Sequence, residues 1–451
     1  MSPTEYFEQN KEQLLKDYFS FLSFPSISSE PEFKSHVRKC AEWLCAYLKN
    51  IGLDAELWET PGHPTVFAKK ITDSTKPTLL IYNHYDVQPV DPLELWKSPP
   101  FEPALKDGQV FARGAQDNKG QCFYVMTAIK YLLETRGALP VNLKLCIEGE
   151  EECGSGGLLK ILEGKRKELS ADYLIVADLG TPAPNVPAIG LGVRGITSAS
   201  FEFVGSKIDL HSGTHGGVAY NPLHALVEVL SRARDKNGKV SIPGFYDDVI
   251  EPSQAELELL DFSFDEKRYQ QMFDGEPTGG EKQFSPWQRA TIRPTFEING
   301  ISGGYGGEGS KTVIPGRARA NITCRLVPNQ DPQKINKLII NFLKDNLPPG
   351  IKLDIKKQSE GSMAFRADAQ SKIVDAARKA YEESFATKSK LILFGGSIPV
   401  VPELAKTSAA ETVLLGLGLP DDAIHAPNEH FGVDRLARGM GIIARIINLL
   451  G

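Results

Sequence analysis

Histidines and carboxylates gather in a few short segments of this chain, each at the end of an apolar run. His84-Tyr85-Asp86 follows Leu79 to Tyr82 directly. Residues two apart in an extended segment face the same way, so His84 is placed to ligate a metal while Asp86 takes the other ring N–H. A histidine in a surface loop would account for the same triplet. Gly114-Ala115-Gln116-Asp117-Asn118-Lys119-Gly120 sets an acid in a glycine-bracketed turn ahead of a helix, where an ordinary acidic helix start is the plainer explanation. The segment Glu148-Gly149-Glu150-Glu151-Glu152-Cys153-Gly154-Ser155 is harder to explain without a ligand. It packs four carboxylates into five positions after another apolar strand, and glycine and serine end the run at once. A bound cation accounts for such repulsion better than a solvated helix face does. Asp178 closes the run Tyr173 to Ala177, and His425 lies in the polar loop Asp421 to Glu429 after Thr412 to Leu415. Two histidines, two aspartates and one or more glutamates at consecutive strand ends form a nitrogen and oxygen donor set suited to two adjacent divalent ions, with zinc or manganese the natural choices.

The elements that must carry these residues can be read from periodicity. Ser2-Pro3-Thr4-Glu5 places a cap, a proline at the first helical position and an acid ahead of Phe7, Leu14, Leu15, Tyr18 and Leu22, which predicts an amphipathic helix. Val37, Cys40, Ala41, Leu44 and Leu48 predict a second, ending near Gly52. Beyond it, strands at 78–82, 143–147 and 173–177 alternate with helices at about 119–134 and 155–168. That alternation argues for an α/β fold with a mainly parallel sheet flanked by helices. The character changes after Gly195, with strands at 196–204, 317–326 and 351–355 and helices at 221–233 and 335–343, an α+β pattern. The strand-helix pattern resumes with a helix at 373–381, strands at 391–394 and 412–415 and a closing helix at 435–450. We therefore expect a main domain from residues 1–195 and 361–451 and an inserted domain at 196–360.

Bulk properties narrow the function classes. A chain of 451 residues exceeds what one core usually organises. Net charge is −6 and the basic residues are scattered, which argues against nucleic acid as a partner. No stretch approaches the ~18 apolar residues of a bilayer span, and the N-terminus has no basic start or apolar run, so a cytoplasmic location is expected. Six cysteines without a C-x-x-C pair are expected to be free and mostly buried.

Together these segments resemble the M20 family of metallopeptidases, in its dipeptidase, carnosinase-like branch, in the expected order along essentially the whole chain. The resemblance implies a zinc-exopeptidase-like catalytic domain with an inserted lid and dimerisation domain, and two divalent ions per subunit. It implies His84 on one metal, Asp117 bridging both, Glu152 beside His425, and Asp178 completing the pair. Glu151 would be the general base and Asp86 the partner of His84, with Glu148 and Glu150 left as extras. It further implies a cis peptide bond at Asp117-Asn118. Within the insertion, Asp209-Leu210-His211-Ser212-Gly213, Lys311-Thr312-Val313 and Arg325-Leu326-Val327-Pro328 match in turn. These imply that His211, with Thr312, reaches the oxyanion across a homodimer, and that Arg325 with Gly396 and Ser397 holds the substrate carboxylate. A guanidinium does hold a carboxylate in a two-point fork, although Arg325 could equally be a strand-surface ion pair, Thr312 a plain strand residue and Ser397 a helix cap.

The activity implied is hydrolysis of a dipeptide amide bond, with removal of acyl groups from amino acids by a deacylase or aminoacylase as the alternative. Two other classes are weaker. A nucleotide-binding oxidoreductase is suggested by Gly190-Leu191-Gly192-Val193-Arg194-Gly195, but this run opens no predicted helix. A scaffold without metals is argued against by the presence of every expected ligand.

Overall fold

A computed structural model describes all residues, Met1–Gly451. The chain separates into two compact units, the first comprising 1–191, 367–392 and 400–451 and the second 192–366 and 393–399. The return segment 393–399, expected in the main domain, groups with the second unit. The backbone N–H of Arg194 donates to the Gly396 carbonyl at 2.9 Å and its Nε to the Gly395 carbonyl at 2.8 Å.

In the first unit the strands lie in the order Asp54–Trp58, Thr65–Lys70, Asn142–Glu148, Thr78–His84, Tyr173–Gly180, Glu411–Gly418, Ala188–Val193. The middle is parallel: Thr78–His84 runs parallel to both neighbours, and Glu411–Gly418 parallel to Tyr173–Gly180. The edges are antiparallel, so the sheet is mixed. The central strands are apolar almost throughout because both faces are covered; Leu79, Leu80, Ile81 and Tyr82 are fully buried. Each such side chain contributes roughly 1.5–3 kcal/mol by leaving water.

Three helices, Pro3–Leu22, Lys119–Arg136 and Val433–Leu450, pack on one another. The first begins with the predicted capping box between Ser2 and Glu5. Lys119–Arg136 is buried nearly all round in its first turns. Even Lys119 is enclosed, its ammonium donating to the carbonyls of Phe21 and Phe24 at 3.1 and 2.7 Å. The helix expected at 155–168 is broken into Gly156–Ile161, a 3-10 turn at Glu163–Lys165 and Arg166–Leu169, with Gly164 at the interruption. Helix Val401–Ser408 and hairpin Asp54–Lys70 were not expected from the sequence.

The second unit holds a four-stranded antiparallel sheet, ordered Glu297–Gly303, Arg317–Leu326, Gly195–Val204, Lys352–Gln358. Helices Pro222–Arg232 and Pro332–Asp345 pack on it around Phe201, Phe203, Leu226, Ile322, Ile335 and Ile339. The glycine run Gly190 to Gly195 lies along buried strand Ala188–Val193 and leads straight into Gly195–Val204, not into a helix. The strand-turn-helix cradle of a dinucleotide site is absent there. No helix is long and apolar enough to cross a membrane. All six cysteines are free, and only Cys153 is exposed.

Candidate metal centre

The parallel strands deliver their polar residues at their C-terminal ends, where open α/β sheets place ligands. His84 is the last residue of its strand, Asp178 lies near the end of the next, and Glu151 and Glu152 form a 3-10 turn just beyond Asn142–Glu148. Asp117 comes from the turn before helix Lys119–Arg136, and His425 from the loop after Glu411–Gly418.

These side chains converge into two donor clusters, His84 with Asp117 and Asp178, and Asp117 with Glu152 and His425. Asp117 belongs to both, and its two oxygens face different imidazoles. Oδ1 lies 3.1 Å from His84 Nε2 and Oδ2 lies 3.0 Å from His425 Nε2. His84 Nε2 is also 3.4 Å from Asp178 Oδ1, and His425 Nε2 is 3.3 Å from Glu152 Oε2. The Asp117–Asn118 peptide bond is cis.

Asp86 is fully buried against the other face of His84. Nδ1 is 3.1 Å from its carbonyl oxygen and 3.3 Å from its carboxylate, so the backbone is the nearer acceptor. The Asp86 carboxylate accepts instead from the backbone N–H groups of Glu151 and Glu152, at 3.2 and 3.1 Å. One residue thereby orients an imidazole and anchors the acidic turn.

The electrostatics fit cations. Asp86, Asp117, Asp178, Glu151 and Glu152 surround two histidines, and none of these carboxylates is paired with a lysine or arginine. Burial pushes the Glu151 carboxyl well up, Glu152 up to about 7, and Asp178 up. Burial acts the same way on Asp117, but hydrogen bonds from His425 and His84 outweigh it and hold that carboxyl down. Hydrogen bonds to Asp117 and Glu152 push His425 up to about 10. His84 is raised too, since Asp178, Asp117 and Asp86 overcome the opposing effect of its burial. Surplus buried negative charge around imidazoles, with one carboxylate shared, is a donor set for two divalent ions. His84, Asp117 and Asp178 would hold one, and Asp117, Glu152 and His425 the other.

Glu151 differs from its neighbour. It belongs to neither cluster and its carboxylate has no hydrogen-bond partner, whereas Glu152 accepts from Gln88 Nε2 at 2.7 Å. Gln88 was missed in the sequence, as were the supporting roles of Asn118, Asn83, Glu429 and Arg113. Asn118 donates to Asp178 Oδ1 at 2.6 Å and accepts from Asn83 at 2.7 Å. Glu429 is buried and takes four donors: Arg113 Nη1 and the N–H of Gly114 on one oxygen, and the N–H groups of Gln116 and Asp117 on the other, all at 2.8–2.9 Å. It ties the His425 loop to the turn that carries Asp117. Both Asn118 and Glu429 sat inside the quoted motifs, but only contacts distant in sequence reveal their work.

The second unit brings together the other residues singled out. Strands Leu210–His211 and Val313–Ile314 pair, which puts Thr312 Oγ1 at 3.5 Å from His211 Nε2. Arg325 Nη1 donates to Ser397 Oγ at 2.7 Å. Neither Arg325 nor Arg194, which grips the same 395–397 turn, has a carboxylate partner. Burial pushes Arg325 down, and burial together with Arg325 pushes Arg194 down to about 9.

Comparison with known proteins agrees with this geometry. The profile of Peptidase family M20/M25/M40 matches residues 80–449. The Cys-Gly metallodipeptidase of Schizosaccharomyces pombe is 28% identical, over 99% of this chain and 97% of its own length. The human Beta-Ala-His dipeptidase is 30% identical, over 82% of this chain and 74% of its own. Among solved structures, an M20 family metallo-carboxypeptidase from Sulfolobus solfataricus superposes with a TM-score of 0.88 at 33% identity, covering 97% of this chain and 99% of the other.

Proposed function

The chain belongs to peptidase family M20/M25/M40 and is a metal-dependent hydrolase, and from that premise we propose that it cleaves dipeptides with a free C-terminal carboxylate. The observation that carries the reading is the shared-carboxylate metal centre of the first unit; in the second unit the half-buried guanidinium of Arg325 has Ser397 beside it and no acid of its own. The names of the relatives, two dipeptidases and a carboxypeptidase, support it.

Two divalent ions at the clusters supply Lewis acidity toward the scissile carbonyl and lower the pKa of water. Glu151, with free lone pairs, takes the proton of the attacking water and returns it to the leaving amine. Asp86 holds His84 and the Glu151–Glu152 turn in place. Arg325 and Ser397, with the backbone at Gly396, hold the substrate carboxylate. His211 Nδ1 accepts from the Gly213 N–H at 3.1 Å, so the ring proton sits on Nε2, and that N–H is available, beside Thr312, to a developing oxyanion.

The homodimer belongs to the same reading. Strand Glu297–Gly303 is an unpaired sheet edge with Ile298 and Ile301 exposed, and Val218, Tyr220 and Val227 are exposed in the same unit. Such an edge and such apolar surface favour a partner, here a second copy. A cytoplasmic location is supported by the free thiols.

One assay separates this activity from acyl-amino-acid hydrolysis. Free dipeptides should be turned over far better than either their C-terminal amides or N-acetyl amino acids, with the amides down on the order of a hundredfold in kcat/KM because a guanidinium largely withdrawn from water would be left unpaired. Equal turnover of free and amidated dipeptides would remove Arg325 from the reading, and a preference for N-acetyl amino acids would replace dipeptidase by deacylase.

A further inference from the structure

Of the four carboxylates between Glu148 and Glu152, two have no part in the chemistry above, yet both are built into the structure. Glu148 Oε1 accepts from Tyr82 Oη at 2.5 Å and from Ser155 Oγ at 2.9 Å. Glu150 points away from the metal clusters, into a cradle formed by the Thr60–His63 turn and the start of helix Gly156–Ile161. Its Oε2 accepts the Gly157 N–H at 2.8 Å. The cradle exists because two of its walls are glycines. A Cβ on Gly62 would overlap the Glu150 carboxylate from one side, and a Cβ on Gly157 would overlap both that carboxylate and Thr60 Oγ1 from the other. Thr60 stiffens the turn, donating to the His63 carbonyl at 2.6 Å and accepting from the Gly62 N–H at 3.0 Å.

The backbone of Glu150 closes the acidic loop. Its carbonyl accepts the Ser155 N–H at 2.7 Å, and the loop returns through Gly154 and Ser155 in the left-handed region, at φ 98° and 58°. Glu151 and Glu152 are therefore the apex of a six-residue loop whose base is pinned by Glu150 and by the Glu148–Ser155 bond. Neither position of Gly62 nor Gly157 has a positive φ, so their lack of a side chain answers to space for Glu150 and not to backbone conformation.

We propose that Glu150 is a positioning residue: seated between Gly62 and Gly157, its side chain locks the 150–155 loop against the 60–63 turn and so sets where Glu151 and Glu152 point. This rests on the assignment of Glu151 as base and Glu152 as ligand. The constraint is steric and hydrogen-bonded, not ionic, so glutamine can replace Glu150 and alanine cannot.

The test is a cycle of variants at two positions that touch neither metal nor substrate. Gly62→Ala, which evicts the carboxylate, and Glu150→Ala, which removes it, should each lower kcat about tenfold to a hundredfold at saturating metal, the scale of a misplacement near 1 Å, with KM within about twofold of wild type. The double variant should be no worse than either single one, because the space Gly62→Ala needs has been vacated, and Glu150→Gln should recover most of the activity. Wild-type kcat in Gly62→Ala or Glu150→Ala, or losses that simply add in the double variant, would overturn the proposal. Should Gly62→Ala not fold, the contrast between Glu150→Ala and Glu150→Gln decides alone: equal activity of the two contradicts it. Glu151→Gln measured alongside keeps the two readings apart. Wild-type kcat there would sink the base assignment whatever the cradle variants do, whereas its collapse beside fully active cradle variants would sink only the cradle.

Discussion

Glu151→Gln is expected to keep both metals and lose on the order of a hundredfold or more in kcat, the usual scale for removing a general base. The expectation comes from the contrast between two adjacent residues. Glu152 Oε2 is 3.3 Å from His425 Nε2 and 2.7 Å from Gln88 Nε2, inside a donor cluster, while the Glu151 carboxylate is in no cluster and binds nothing. A glutamine at 151 preserves size and backbone, including the N–H donated to Asp86, so the turn survives and only proton transfer is lost. Glu152→Gln should do the opposite, weakening metal binding first. The measurement is metal content by elemental analysis beside steady-state kinetics. Metal lost from the Glu151 variant but retained by the Glu152 variant would reverse the two roles.

His211→Ala should likewise cost about a hundredfold in kcat with metals retained, roughly 3 kcal/mol for one donor aimed at developing charge. His211, on strand Leu210–His211, and Thr312, just ahead of its paired strand Val313–Ile314, are held together, and the proton on His211 is directed to Nε2 by the Gly213 N–H. In a two-fold dimer each copy can lend the same group to the other's site. Mixing His211→Ala with Glu151→Gln under conditions that exchange subunits then yields heterodimers with one doubly defective site and one intact site. Activity should return to up to roughly a quarter of wild type in an even random mixture, by that symmetry. Verified exchange without recovery would mean that His211 works within its own chain or not at all.

What the sequence made legible follows from where the signals lie. The candidate metal ligands His84, Glu152 and Asp178, and Glu151 beside them, sit at or just past apolar runs, so a strand-end rule finds them without knowing the sheet order. The closing helix Val433–Leu450 and the strand Arg317–Leu326 were equally plain, being long and strictly periodic. What stayed hidden depends on contacts far apart in sequence. Glu429 reads as one more acid in a polar loop until the backbone of 114–117 is seen donating to it across more than 300 positions. Asn118 reads as a helix start until it is seen bridging Asn83 and Asp178. Gly62 carries no signal at all, since its function is to leave room for Glu150. The grouping of 393–399 with the second unit was hidden for the same reason, because its bonds run to Arg194 and Arg325.

The central claim is that one carboxylate, Asp117, joins two metal sites into a single hydrolytic centre. The most direct measurement is a titration of chelator-stripped protein with zinc or manganese, following bound metal by elemental analysis and hydrolysis of a free dipeptide in the same samples. The account predicts negligible activity without metal, saturation at two ions per chain, and an Asp117→Asn variant that loses affinity at both sites together, since both clusters use that residue. Saturation at one ion, activity that survives complete stripping, or an Asp117→Asn variant that loses only one ion would contradict it.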